Sequence, residues 1–199
     1  MKRHLNESLY HSAGFLPAIF KGREYVGSLY IEGNMKNGHT FDGRVLVLNS
    51  QGEIISDQFD GDVCILTVTN NDYRDDCKIP GGSSENDENP YDTLVREMFD
   101  EAFCSVQKAV QFRKEMYGEH SRNFFVVDGI IDLGFDQIRF SNNGREKLKI
   151  YWMNIVDFSC CLFKNQRGAF KQLVRILSKN EMFLNKYRVL VETPFVERI

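Results

Sequence analysis

Apolar and polar positions change their rhythm at a few sharp points along this chain, and those points predict its elements. Tyr25–Ile31 reads as a strand inside an otherwise mixed opening stretch, so residues 1–40 are expected to form an N-terminal extension. Arg44–Asn49 and Glu53–Asp57, joined by Ser-Gln-Gly, read as a β-hairpin. Asp62–Thr69 is a β-branched apolar run that ends at Asn70-Asn71-Asp72, which predicts a buried strand and a turn. Lys78-Ile79-Pro80-Gly81-Gly82 then breaks the chain, and a polar loop leads to Pro90.

From Pro90 the rhythm becomes helical, with Asn89 suited to the N-cap and Pro90 to the first helical position. At helical pitch Leu94, Val95, Met98, Phe99, Ala102, Phe103, Val106, Ala109 and Val110 fill one arc of about 180°. Phe112 and Met116 rejoin that arc, so the helix is expected to continue to about Tyr117, with Phe103 packed in the core. Glu97, Asp100 and Glu101 occupy the opposite face, because residues three and four apart are neighbours on a helix. Asn123–Leu133 and Leu148–Phe158 read as strands, with Trp152 in the core. Gln166–Ser178 reads as a second amphipathic helix, and Tyr187–Glu192 as a final strand. Strands before and after a central helix suggest an α/β fold with a mixed central sheet between helices.

Composition changes this picture little, since a 199-residue chain that is 42% hydrophobic suits one packed domain, residues 1–199. The uneven charge matters more than the net of −3. Residues 81–104 hold seven acids against the single base Arg96, a local net of −6. Residues 161–190 hold seven bases against Glu181, a local net of +6, inside a helical C-terminal elaboration over 160–199. Five cysteines, two of them adjacent and none in CxxC spacing, read as free thiols in a reducing compartment. The apolar run after Lys2 and Arg3 is short and broken by Gly14 and Pro17, and nothing has the length of a membrane span. A soluble, cytoplasmic protein without a membrane partner is the expectation. His4, His11, His39 and His120 show neither metal-ligand nor triad spacing.

The chemistry sits between Gly82 and Cys104. Gly82, Glu88, Arg96, Glu97, Met98 and Glu101 stand at the spacing G-x5-E-x7-R-E-U-x-E-E-x-G-U, where U is aliphatic. This segment resembles the Nudix box, preceded by a matching Ile79-Pro80-Gly81 lead-in. Asp100 stands where that pattern has Glu, and Phe103 where it has Gly. The resemblance implies a Nudix-type α/β/α sandwich and a Nudix pyrophosphohydrolase. Its substrate would be a nucleoside diphosphate derivative, either a small nucleotide or capped RNA, with no DNA partner. The cofactor implied is Mg²⁺ or Mn²⁺, bound by Glu97, Asp100, Glu101 and the carbonyl of Gly81. Glu88 and Arg96 would orient those acids, and Glu88, Arg96, Glu97 and Glu101 form the implied catalytic set. A pyrophosphate repels an attacking water, and divalent cations relieve that repulsion while preferring oxygen ligands.

A general base outside the box is common among such enzymes, and Glu146, Asp157, Glu181 and Glu192 stand open for it. Arg167, Lys171, Arg175 and Lys179 fall four apart and form a basic stripe on the second helix. Arg167, Lys171 and Arg175 are candidate substrate contacts for a phosphate-rich ligand such as RNA. The alternative class is a catalytically silent Nudix-fold module that binds a nucleotide or RNA, motivated by Asp100 and Phe103. A plain interaction protein with a solvated acidic helix is the third.

Overall fold

The computed structural model describes residues 9–37, 40–70, 76–143 and 146–193. The chain opens with β1 (Tyr10–Phe15), β2 (Pro17–Lys21), β3 (Glu24–Lys36), β4 (Thr40–Leu48), β5 (Ile54–Ser56) and β6 (Asp62–Asn70). Two short strands, β7 (Cys77–Lys78) and β8 (Gly81–Ser83), precede α1 (Pro90–Ala102). A long hairpin follows, β9 (Ser105–Tyr117) and β10 (His120–Ile130), then β11 (Arg139–Asn143) and β12 (Glu146–Asn154). The described residues after β12 are mainly helical: α2 (Ile155–Cys161), α3 (Arg167–Leu177), α4 (Glu181–Lys186) and α5 (Arg188–Glu192).

The described strands form a mixed α/β fold with two sheets. The four-stranded sheet runs β8-β1-β10-β9, and only its β1–β10 pair is parallel. The eight-stranded sheet runs β11-β12-β6-β2-β3-β4-β5, with β7 also paired to β6, and is antiparallel throughout. Side chains alternate across a strand, so each face of the four-stranded sheet serves a different cluster. Phe15, Phe112 and Phe124 face Phe158 and Phe170 of α2 and α3, with ring centroids 5.9–6.5 Å from Phe15. Phe125 and Val127 share the other cluster with Leu94, Met98 and Ala102 of α1. Helices α1 and α3 therefore cover opposite faces of this sheet.

Several expectations from sequence meet corrections here. Within residues 1–40, read as an extension, Tyr10–Phe15 supply β1 between β8 and β10, and Pro17–Lys21 and Glu24–Lys36 add β2 and β3 to the larger sheet. The long helix stops at Ala102, and residues 105–117 are strand, not helix. Phe103 caps α1 in the left-handed conformation (φ 55°, ψ 28°) and is 40% exposed, so it does not enter the core. The strand expected at Leu148–Phe158 ends at Asn154, whose side chain accepts from the Val156 N–H and starts α2. The segment read as a final strand is α5, with Tyr187 and Leu190 buried three apart and Val189 and Val191 exposed. Cys77 and Cys161 form a disulfide with Cα atoms 5.4 Å apart, where free thiols were expected.

Other readings agree with the structure. The hairpin β4–β5, the buried strand β6 and the apolar face of α3 (Ala169, Phe170, Leu173, Val174, Ile176, Leu177) are present, and Trp152 is buried. His4, His39 and the turn at Asn71-Asp72 lie outside the described residues. Among the described residues, no helix is long and apolar enough to cross a membrane.

Candidate active site

Helix α1 begins where its sequence says it should. The Asn89 side chain accepts from the Asp92 N–H (2.8 Å), and the Asp92 carboxylate accepts from the Asn89 N–H (3.4 Å). This reciprocal cap with Pro90 behind it fixes the first turn. It therefore also sets the rotation at which Glu97, Asp100 and Glu101 emerge.

Arg96 organises the acids around it. Its Nε and Nη2 donate to the two oxygens of Glu88 (2.8 and 2.9 Å), a bidentate clamp. Nη1 donates to Glu97 Oε1 (2.9 Å), and Nη2 also reaches the Ser83 carbonyl (2.9 Å), tying α1 to β8. Glu88 accepts further bonds from the Glu85 N–H (2.7 Å) and the Thr93 hydroxyl (3.0 Å). The hydrogen bonds from Arg96 hold the Glu88 carboxyl well below the usual range, at about 2. Burial pushes the Glu97 carboxyl up, and Arg96 pulls it the other way. Adjacent positions on one helix thus carry a guanidinium paired with two carboxylates and a carboxylate whose burial disfavours its charged form.

Glu97 and Glu101 both reach the glycine bend of β8. The Glu97 carboxylate occupies the space a Gly82 side chain would fill: a Cβ there would lie 2.5 Å from Glu97 Cδ. Glu101 is 6% exposed, and its Oε2 accepts from the Gly81 N–H at 3.4 Å. Gly81 itself packs so closely on β1 that a Cβ would meet the Ser12 carbonyl at 2.5 Å. Asp100 stands apart, its side chain 45% exposed and its carboxylate 4.0 Å from Arg96 Nη1. Among the described residues, no group of three or more His, Cys, Asp or Glu side chains is gathered for a metal ion. The donor chemistry at the bend nevertheless fits a hard divalent cation, with two carboxylates and backbone oxygens and neither thiol nor imidazole.

The basic stripe lies elsewhere. Arg167 Nε donates to the Leu162 carbonyl (3.0 Å), Lys171 and Arg175 are exposed on α3, and Lys179 reaches the Gly43 carbonyl (3.2 Å). None of these residues meets the carboxylates of α1, which lie across the four-stranded sheet. Among the base candidates, Asp157 and Glu192 are exposed, and Glu181 lines a separate cavity between β4–β5 and α4. The side chain of Glu146 lies outside the described residues.

Sequence reasoning passed over a cavity of about 390 Å³ beside the bend, lined by His11, Lys78, Arg122, Asn123, Phe163 and Gln166, with Gly81 and Gly82 in its wall. His11 sits opposite Arg122 on β10 and opposite Ser83 on β8, and its Nε2 lies 2.8 Å from the Ser83 hydroxyl. Although His11 is exposed as a residue, desolvation of its imidazole, then the charges of Arg122 and Lys78, lower its pKa. Strand pairing brings these residues together, so no local motif marks them. Lys78 alone had a sequence signal, its place directly before Ile79-Pro80-Gly81.

No protein-family model matches the sequence. No curated protein matches it either. Among solved structures, the chain is similar to a MutT described from Aliivibrio salmonicida and Vibrio cholerae, at 20% identity over 58% of this chain and 86% of that one (TM-score 0.44). It is similar to a nudix hydrolase family member from Chromobacterium violaceum, at 11% identity over 94% and 90% (TM-score 0.45). A MutT/nudix family protein from Enterococcus faecalis is similar at 11% identity over 90% and 67% (TM-score 0.40).

Proposed function

We propose that this chain is a divalent-cation-dependent hydrolase that splits a phosphoanhydride bond in a nucleoside diphosphate derivative. The observation that carries the reading is Arg96, which clamps Glu88, holds Glu97 against Gly82 and ties both to β8. A solvated acidic helix face has no need of such bracing, whereas carboxylates that must hold their place under load do. Glu97 and Glu101 would hold Mg²⁺ or Mn²⁺ at the bend together with the Gly81 carbonyl, and Asp100 would act from the solvent side. The ion supplies charge neutralisation at the phosphoryl oxygens and an activated water. Arg96 keeps the Glu97 carboxylate from swinging away, and Glu88 fixes Arg96 through two of its donors.

A small nucleotide is favoured over capped RNA, because the cavity at the bend is compact and the stripe of Lys171 and Arg175 runs on another face. The exposed Asp100 favours the rival reading, a silent module that binds without turnover. Turnover of ADP-ribose, dinucleoside polyphosphates, nucleotide sugars and capped RNA, with Mg²⁺ or Mn²⁺, tests the proposal. Glu101→Gln is expected to lower the rate by about a hundredfold or more, the size seen when a key electrostatic group is lost. A rate unchanged by that substitution removes the assigned role. No turnover of any substrate favours the silent module, and Asp100→Glu then asks whether one methylene restores it.

A further inference from the structure

We propose that the cavity beside the glycine bend binds the phosphate-bearing part of a nucleotide, with Lys78 and Arg122 as its anion-binding residues. The assignment of a nucleotide rests on the hydrolase reading above.

The cavity has one sign of charge. Lys78 and Arg122 line it with His11, and its wall contains neither Asp nor Glu. Among the described residues, no carboxylate lies within ion-pair distance of Lys78 or Arg122, whereas Arg44, Arg96 and Arg113 each have one at 2.6–2.9 Å. Glu115 stands opposite Arg122 across the β9–β10 pair, but it is engaged by Arg113 Nε (2.6 Å) and the Tyr117 hydroxyl (2.8 Å). Arg122 rests over the Tyr117 ring, 4.2 Å from its centroid, and its Nη1 donates to the Tyr117 hydroxyl (3.1 Å), so neutral groups steer the guanidinium and stand between it and Glu115. Two cations that meet no counter-ion among the described residues, set in a concave, part-buried wall, attract an anion.

The walls are braced. Gln166 accepts from the Ile79 N–H (2.9 Å), and Asn123 donates to the His11 carbonyl (3.1 Å) and accepts from Gln111 (2.8 Å). The Cys77–Cys161 disulfide anchors β7 beside Lys78, and the Phe163 N–H donates to the Cys77 carbonyl (2.8 Å). Phe163, 40% exposed, adds an apolar surface at the same place. A volume of about 390 Å³ falls in the range of small-ligand sites. Gly81 and Gly82 line this cavity and also meet Glu101 and Glu97. Phosphate held by the cations therefore lies next to the acids across a thin, side-chain-free partition.

Calorimetric titration of ADP into the full chain, in EDTA, tests this without requiring catalysis. ADP is expected to bind and adenosine to bind at least tenfold more weakly. Lys78→Ala and Arg122→Ala should each weaken ADP by about tenfold, the loss of one charge-assisted contact. Lys78→Arg should restore most of the affinity, which a merely unfolded variant cannot do. Binding in EDTA requires neither a metal ion nor turnover, so an error in the hydrolase reading leaves this result standing. Absence of ADP binding by the parent, equal affinity for adenosine, or Lys78→Ala and Arg122→Ala affinities within twofold of the parent would overturn the proposal.

Discussion

Gly82 leaves open the volume that the Glu97 carboxylate fills, and an alanine there would bring its Cβ to 2.5 Å from Glu97 Cδ and Oε1. A glycine in the β8 bend and an acid midway along α1, fifteen positions apart in sequence, are thus one steric unit. Gly82→Ala should cost no more than about 1 kcal/mol, the low end of overpacking, because the atoms it meets are the far end of the Glu97 side chain, which can turn aside. It should also lower turnover far more than that loss of stability explains, because Glu97 is displaced while the fold remains. Turnover measured well below the melting temperature decides the matter: a folded Gly82→Ala chain with parental turnover would show that Glu97 need not sit there.

Arg96 separates charge from geometry. Lysine keeps the charge but cannot reach Glu88 with two parallel donors while also reaching Glu97. Arg96→Ala is expected to destabilise the chain by about 3 kcal/mol, since it strands carboxylates that are mostly shielded from water. Arg96→Lys should recover part of that stability and little of the turnover. Denaturant unfolding and rate measurements on both variants test the pair. Full turnover in Arg96→Lys would mean that only positive charge is needed.

The same clamp gives a pH dependence with a definite sign. The folded Glu88 carboxyl is held at about 2 against an ordinary 4.5, chiefly by its hydrogen bonds from Arg96. The stability it contributes is present above about 4.5 and is lost as pH falls from there towards about 2. Glu97 works the other way, because burial raises its pKa and eases its protonation. Glu88→Gln should therefore melt lower than the parent at pH 6, with the gap narrowing at pH 3. Parallel melting profiles from pH 6 to pH 3 would mean that Glu88 is not the group responsible.

The start of α1 was legible because its signals are local. Asn89 and Pro90 mark a helix start from adjacent positions, and the acids follow by periodicity, while the Asp92 half of the cap became visible in the structure. Its end was not legible. Val106, Ala109, Val110 and Phe112 continue a helical arc by spacing, yet they belong to a strand. Register shifts between Phe124/Phe125 and Asp128/Gly129 in the β9–β10 pair break the two-residue alternation that would have revealed it. Val106 and Ala109 consequently pack towards α1, and Val110 and Phe112 towards α2 and α3. The box residues could be read because α1 and its preceding bend are contiguous in sequence. His11 and Arg122 could not, because only the parallel β1–β10 register makes them neighbours.

The cysteines allow a chemical test of the fold. Cys77 and Cys161 are 84 positions apart, a separation that gives sequence reasoning no handle on their pairing. Cys64 and Cys104 are buried, and desolvation pushes both thiols up to about 12, so neither offers a reactive thiolate at neutral pH. Cys160 is the more accessible thiol among the free three. Alkylation of the native chain without reductant should mark Cys160 first, with Cys64 and Cys104 marked only after denaturation. Cys77 and Cys161 should need reductant as well. Peptide mapping reads each site, and Cys77 labelled in the unreduced, denatured chain would break the assigned pair.

Phe103 takes the left-handed cap that the box pattern reserves for glycine, and its N–H still reaches the Phe99 carbonyl (3.1 Å). Any residue with a Cβ resists that conformation by roughly 1–2 kcal/mol. Partial compensation comes from Arg139, whose guanidinium lies 5.5 Å from the Phe103 ring centroid, a contact of about 0.5–1 kcal/mol at an exposed site. Phe103→Gly removes the strain and the ring contact together and loosens the unfolded chain by about 0.5–1 kcal/mol. These terms nearly cancel, so Phe103→Gly should change stability by less than about 1 kcal/mol. Phe103→Ala keeps the strain and loses the ring, and should therefore be the less stable of the two. Chemical denaturation of both variants separates the contributions. If Phe103→Ala proves more stable than Phe103→Gly, the left-handed cap is not the feature that limits this end of α1.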